Sequence, residues 1–266
     1  MYTPESAMAI FAHPDDIEFS CSGTMARWAK AGARISYVIL TNGDVGIADP
    51  DIPKPEVVKI RQREAQAAAD IAGATEVIFM GEHDGMLEAS MELRKRLVRE
   101  IRRFKPEVVI AGDPTVFFPS DTYINHPDHR AAATVAIDAI FPAAGQPNLF
   151  EEIEEEEGIK SHKPRKVYIS SWMNATEFVN IESTIGLKID ALRAHKSQIM
   201  DWDPDEPMRE RAATVAKGKE MKYAEGFRVI TLTSDEDWEI SKGDPIILAE
   251  EAKRRLAEKQ TKKDSE

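Results

Sequence analysis

The sequence predicts an α/β fold, a Rossmann-like and mostly parallel sheet with helices on both faces. Two observations carry this expectation. Short apolar runs of strand length alternate with longer segments of helical spacing. The repeated order of strand, helix, strand, helix is that of a parallel sheet covered on both sides. The first run, "AMAIFA" at 7–12, reads as a buried strand. "GTMARWAKAG" at 23–32 follows with helical spacing and ends at Gly32, a C-terminal cap. "RISYVIL" at 34–40 is β-branched and strand-like. "KPEVVKIRQREAQAAADIAG" at 54–73 is a long helix that begins near Pro55 and ends at Gly73. "EVIFMG" at 76–81 is the next strand, and "MELRKRLVREIRRF" at 91–104 is a helix with a basic outer face. "EVVIAG" at 107–112 is the fourth strand, and "RKVYISS" at 165–171 is the fifth. Between them "HPDHRAAATVAIDAIF" at 126–141 is a helix with Pro127 at its first position.

The remainder is less regular. "ESTIGLKIDALRAHKSQI" and "PMRERAATVAKGKEMKYAEG" read as helical, and "FRVITL" at 227–232 as a strand. A last amphipathic helix carries a charged, frayed tail. No Gly-, Pro- or Ser-rich linker divides the chain. One domain is therefore expected over 1–266, with a core at about 7–171 and an α/β extension at about 172–260. The acidic run "LFEEIEEEEG" at 149–158 reads as a solvated loop or frayed helix.

Composition bounds the function. The 266 residues are 42% hydrophobic and 31% charged, enough to bury a sizeable core. The net charge of −12 repels phosphate backbones, so nucleic acid is not an expected partner. A single cysteine, Cys21, excludes an internal disulfide framework and suits a reducing compartment. The N-terminus has no basic region ahead of its short apolar run, and no run approaches the roughly 20 apolar residues of a membrane helix. A cytoplasmic location away from membranes is expected.

Two tetrapeptides carry the chemistry. "HPDD" at 13–16 follows the first strand, and "HPDH" at 126–129 lies beyond the fourth. Both fall at the carboxyl end of the sheet, where open α/β folds bind ligands. A proline turn lets His13 and Asp16 point the same way and leaves Asp15 as a spare carboxylate. His126 and His129 are three apart on one helix face. One of these imidazoles can join a metal while the other faces substrate, and Asp128 can fix an imidazole's tautomer. Two histidines, one carboxylate and an open position form a catalytic zinc pattern. A spare carboxylate then suits a general base, and a spare imidazole, if protonated, suits an oxyanion. Of the other histidines, His83 lies on a loop facing the site or solvent. His195 reads as a surface residue of a helix, and His162 as part of a loop.

At these residues the chain resembles the LmbE-like, or PIG-L, family of zinc-dependent N-deacetylases. "AHPDDIEFSCSGT" and "NHPDHRAA" carry the resemblance. Weaker matches are Thr41, Gly43 and Asp44, then Arg61 with Glu64, then Asp84 with Gly85, and last His195 with Ser197 and Gln198. The family's Gly-Gly-Thr stands here as Ser22-Gly23-Thr24. The resemblance implies His13, Asp16 and His129 as ligands of Zn2+, or of another divalent transition metal. It implies Asp15 as general base, His126 at the tetrahedral intermediate, and Asp128 orienting His126. It implies Arg61 and Asp84 as sugar-binding groups, with Arg63 a competitor for the first role. The implied activity is removal of acetyl from a small-molecule N-acetylglucosaminyl compound, in a chain that forms homo-trimers or hexamers. An amidase acting on a larger acyl group would use the same machinery. A non-catalytic nucleotide-binding Rossmann protein is the rival from another class. It calls for G-x-G-x-x-G after the first strand, where this chain has "AHPDDIEF".

Overall fold

A computed structural model describes residues 2–171 and 174–264. The chain runs β1 (Ser6–Phe11), α1 (Asp16–Ser20), α2 (Ser22–Lys30), β2 (Arg34–Thr41), α3 (Lys54–Ala72), β3 (Glu76–Glu82) and α4 (Met91–Phe104). It continues with β4 (Val108–Ala111), α5 (Pro127–Asp138) with a π-helical continuation at Ala139–Ala144, α6 (Glu152–Glu157), β5 (Lys166–Ser170) and β6 (Glu177–Asn180). Then come α7 (Ile185–Ala194), α8 (Lys196–Ile199), α9 (Asp205–Ala216), β7 (Ala224–Thr231), α10 (Asp235–Ser241) and α11 (Pro245–Asp264). Trp172 and Met173, where the expected extension begins, and the last two residues of the expected frayed tail lie outside the described residues.

The seven strands lie in the order β3-β2-β1-β4-β5-β7-β6. The first five are parallel, and β7 runs antiparallel to both β5 and β6. The chain winds outward from β1 through β2 to β3, then returns to lay β4 on the other side of β1. The loops leaving β1 and β4 therefore diverge and open a crevice between them, the switch point where such sheets bind ligands. Period-two alternation divides the core. Met8, Ile10, Val38, Leu40 and Val109 pack with Leu93 and Leu97 of α4 and Val135 of α5. Ala7, Ala9, Phe11, Ile35 and Tyr37 face the other way, onto Met25 and Trp28 of α2 and Ala65 of α3.

The small residues that open α2 have a packing reason. Glu225 of β7 accepts from the N–H groups of Gly23 (3.1 Å) and Thr24 (2.7 Å), satisfying free donors at the helix start. A β-carbon at position 23 would approach Glu225 Oε1 and Ile181 to 3.0 Å. Buried Lys188 completes the group at 2.7 Å from Glu225.

Burial and pairing add to three readings. The face of α4 is basic, but Arg102 is fully buried and donates to the carbonyls of Ala143, Ala144, Gln146, Leu149 and Phe150. The acidic run contains the short helix α6, whose Glu152 and Glu157 pair with Lys95 and Arg99 of α4. His162 lies in a loop yet is buried. Its N–H donates to Ala144 O, and its Nε2 lies 2.8 Å from Pro106 O.

Burial pushes the His162 imidazole down to about 4. Below the ordinary histidine value the unfolded chain takes up a proton that the folded chain refuses, so stability falls as pH drops from about 6.5 toward 4. The full effect is about 3 kcal/mol. Urea unfolding of the wild type and His162→Gln at pH 7.5 and pH 5 checks this. The variant is expected to lose about 2 kcal/mol less than the wild type over that interval.

Candidate active site

Both His-Pro-Asp stretches open helices at the switch point. After β1 the chain turns at Pro14, with the Asp15 N–H donating to His13 O at 2.8 Å. Asp15 stands at the N-cap position of α1, and Asp16 is its first residue. The Asp16 carboxylate reaches back to accept from the His13 backbone N–H at 2.8 Å. After β4 a loop leads to His126, which caps α5. Its Nδ1 accepts from the Asp128 N–H at 3.2 Å, and Pro127 sits at the first helical position. His129 then lies one turn in.

These turns bring three donors together. His13 Nδ1 lies 3.1 Å from His129 Nε2 and 3.4 Å from Asp16 Oδ2. His129 Nε2 lies 3.1 Å from Asp16 Oδ1. Ligands about 2.0–2.1 Å from a tetrahedral zinc are roughly 3.3 Å from each other, and these three side chains, with Asp16 turning one oxygen to each imidazole, lie close enough to share such an ion. The charge balance fits too. Asp15, Asp16, Asp84 and Asp128 gather around His13 and Arg61. Burial opposes charge on His13, but hydrogen bonds to Asp16 and Asp84 outweigh it and push the imidazole up to about 11. The site draws in positive charge, and a dication would supply it. His13, Asp16 and His129 could hold that ion with a position left open.

The second nitrogen of His13 is also engaged. Nε2 lies 3.2 Å from Asp84 Oδ1 and 3.3 Å from Asp128 Oδ2. The Asp128 carboxylate is fully buried and further accepts from the N–H groups of Gly85 (2.7 Å) and Leu87 (3.2 Å). The resemblance implies that Asp128 orients His126. In the structure its carboxylate steadies His13 instead, because those two N–H groups anchor it on that side. Only its backbone N–H meets His126. That bond needs a bare Nδ1, so the neutral His126 ring carries its proton on Nε2. Burial and the nearby His13 charge lower the His126 pKa, in keeping with the neutral form.

The paired carboxylates diverge. Burial and the Asp16 charge push Asp15 up, against the pull of Arg61. Asp16 is as deeply buried, but hydrogen bonds from His129 and His13 hold it down. Asp15 stands outside the triangle and pairs with Arg61 Nη2 at 3.4 Å. Arg61 is buried, whereas Arg63 points outward to Glu56 at 3.2 Å.

Other residues support this arrangement. Asp44 accepts from the Asp84 N–H at 3.0 Å and meets His83 at 3.2 Å, fixing the loop after β3 while His83 stays exposed. Glu64 accepts from both the N–H and the hydroxyl of Ser197, and Gln198 donates to Gly46 O. His195 is not a surface residue. It is fully buried between α7 and α8, with Nε2 at 3.2 Å from buried Glu18. Nothing in the sequence pattern pairs residues 177 positions apart, so that contact was not legible.

The family model described as PIG-L, GlcNAc-PI de-N-acetylase, matches residues 8–140. The chain belongs to the PIG-L family. A diacetylchitobiose deacetylase of Thermococcus kodakarensis is 30% identical over 229 residues, covering 85% of this chain and 83% of the relative. Among solved structures, the N,N'-diacetylchitobiose deacetylase of Pyrococcus horikoshii superposes with a TM-score of 0.78 at 28% identity, covering 86% of this chain and 84% of that one. A 4-carboxy-2-hydroxymuconate hydratase of Pseudomonas putida has a TM-score of 0.70 at 24% identity, covering 86% and 98%. The latter likeness shows the fold alone, and a PIG-L-like fold does not by itself name a reaction.

A β-carbon added at Gly46 would collide with Arg61 Nη1. Gly46→Ala and Arg61→Ala are therefore both expected to lower kcat/KM at least about tenfold on any substrate the protein turns over. Arg63→Ala is expected to stay within about twofold of wild type. Steady-state kinetics on the three variants, with bound metal measured alongside, checks the assignment.

Proposed function

We propose that this chain is a zinc-dependent N-deacetylase that removes acetyl from an N-acetylglucosaminyl compound, releasing acetate and a free amine. The observation that carries the reading is the triangle of His13, Asp16 and His129, with Asp15 held just outside it by Arg61. The relatives named above support the acetamido sugar as substrate. A divalent ion bound at the triangle would polarise an amide carbonyl and acidify a water molecule.

The chain's own residues then divide the work. Asp15 takes a proton from the attacking water and returns it to the departing nitrogen. Its pairing with Arg61 holds the carboxylate in line, and its burial makes it a stronger base. His126 donates through Nε2–H to the oxyanion as it develops, and it does so as a neutral imidazole. Protonating its Nδ1 would break the cap of α5, so this reading assigns the role to the neutral ring. Asp128 acts as a positioning residue for His13. Arg61 and Asp84, one donor and one acceptor on the same side, suit the hydroxyls of a sugar ring. The net charge of −12 argues against a nucleic-acid partner. No helix among the described residues is long and apolar enough to cross a membrane.

The test is release of amine and acetate from N,N'-diacetylchitobiose and other N-acetylglucosaminides, before and after a chelator and after zinc is restored. Activity is expected to vanish with chelation and return with zinc; chelator-resistant turnover would remove the metal from the reading. Asp15→Asn keeps the shape and loses the base. It is expected to lower kcat by about 10²–10⁴-fold while keeping its zinc. Asp16→Asn is expected to lose zinc and activity together, as read by elemental analysis on both proteins.

A further inference from the structure

A chamber of about 170 Å³ opens beside the metal triangle, and Asp16 and His129 form part of its wall. Its floor is the end of β1, where Ile10 and Ala12 are buried. Val116 and Pro119 of the loop before α5 close one side, and Ala132 and Ala133 of α5 the other. Asp15, Arg61, Asp84 and His126 do not line it. The triangle thus divides the site into two halves. Asp15, Arg61 and Asp84 stand on one side, and on the other is a recess whose apolar wall is made by Ile10, Ala12, Val116, Pro119, Ala132 and Ala133.

The lining also carries polar groups, with the hydroxyls of Ser20, Ser170 and Ser171 among them. Asn125 in its wall already donates to Val116 O at 2.8 Å and faces His129 Nδ1 at 3.3 Å. Asp113 accepts from both the N–H and the hydroxyl of Thr115. A sugar ring is too big for the recess. A cavity of about 150 Å³ holds benzene, and a hexosamine has roughly twice as many non-hydrogen atoms. An acetyl group has about half as many and would leave much of the recess empty.

We infer that this recess receives the acyl side of the amide and is sized for acyl chains of about four to six carbons as well as for acetyl. The inference rests on the deacetylase reading above and assigns Val116, Pro119 and Ala132 as acyl-selecting residues. The sugar lies on the Arg61–Asp84 side, the scissile carbonyl sits at the triangle, and the hydrocarbon chain runs toward Ile10 and Ala12.

The test is a chitobiose series carrying N-acetyl, N-butanoyl or N-hexanoyl groups, with free amine measured on the zinc-loaded protein. For the wild type, kcat/KM on the butanoyl and hexanoyl compounds is expected to lie within about tenfold of the acetyl value or above it. Val116→Phe narrows the recess from its mouth and Ala132→Leu from its wall. Each is expected to lower the hexanoyl-to-acetyl ratio of kcat/KM at least about tenfold. Calorimetry supplies a readout apart from turnover. Hexanoate is expected to bind the zinc-loaded protein at least about tenfold more tightly than acetate, and Val116→Phe to erase that preference. Acetyl release with the longer chains more than 100-fold poorer would overturn the inference and leave the deacetylase reading intact. Equal binding of the two acids would do the same, as would a Val116→Phe effect that follows the aglycone and ignores the acyl chain. No amine from any member of the series would sink the deacetylase reading and this inference with it.

Discussion

The contact between Asp128 and His13 is the one on which the site's geometry depends. Asp128 stands in the first turn of α5, His13 follows β1, and the two N–H groups that Asp128 accepts belong to the loop after β3. One buried carboxylate thereby fixes three connections that leave the sheet at separate strands. Its hold on Nε2 turns Nδ1 of the same ring toward Asp16 and His129. A carboxylate behind a metal-binding imidazole also raises its basicity, which favours capture of a cation. Removing Asp128 would loosen all three loops at once, so its importance exceeds that of a single hydrogen bond.

Helix geometry separates two chemically alike neighbours. Asp15 and Asp16 differ by one residue, but one is a cap and the other begins the helix. Asp16 folds back over the turn to the His13 N–H, and from there it meets both imidazoles. Asp15 is carried toward α3 and finds Arg61. The opposite shifts of their pKa values follow from these partners, since both carboxylates are deeply buried. Opposed environments for paired carboxylates are the usual physical basis for dividing acid–base work.

Much of this was legible in the sequence because the signals are local. Apolar runs and helix stops located the first five strands and the long helices α2 to α5 to within one or two residues at most ends, while the five-residue α1 was too short to show a period and was not assigned. The two His-Pro-Asp stretches marked the switch point because proline turns and helix starts are short-range features. What escaped was non-local. Strand β6 is only half-buried and contributes four residues to an edge, too few for a periodic signal. Arg102 reads as one more base on a charged helix, yet five carbonyls from the end of α5 and the loop after it draw it into the core. His195 with Glu18, and Glu64 with Ser197, join residues more than a hundred positions apart. Asp128 was seen as an imidazole's partner, but which imidazole depends on loops that only the folded chain brings together.

The recess beside the triangle follows from residues whose sequence reading was purely structural. Ala132 and Ala133 look like helix-forming filler, and Ala12 and Gly112 like the small ends of strands. They meet where α5 crosses the ends of β1 and β4, and small side chains on both sides leave space that larger ones would fill. Here the space adjoins the reacting centre on the side away from Arg61 and Asp84. The same alanines that let the helix approach the sheet therefore also set the room available to the acyl group. A bulky residue at position 132 would act on packing and on substrate range together, through one volume.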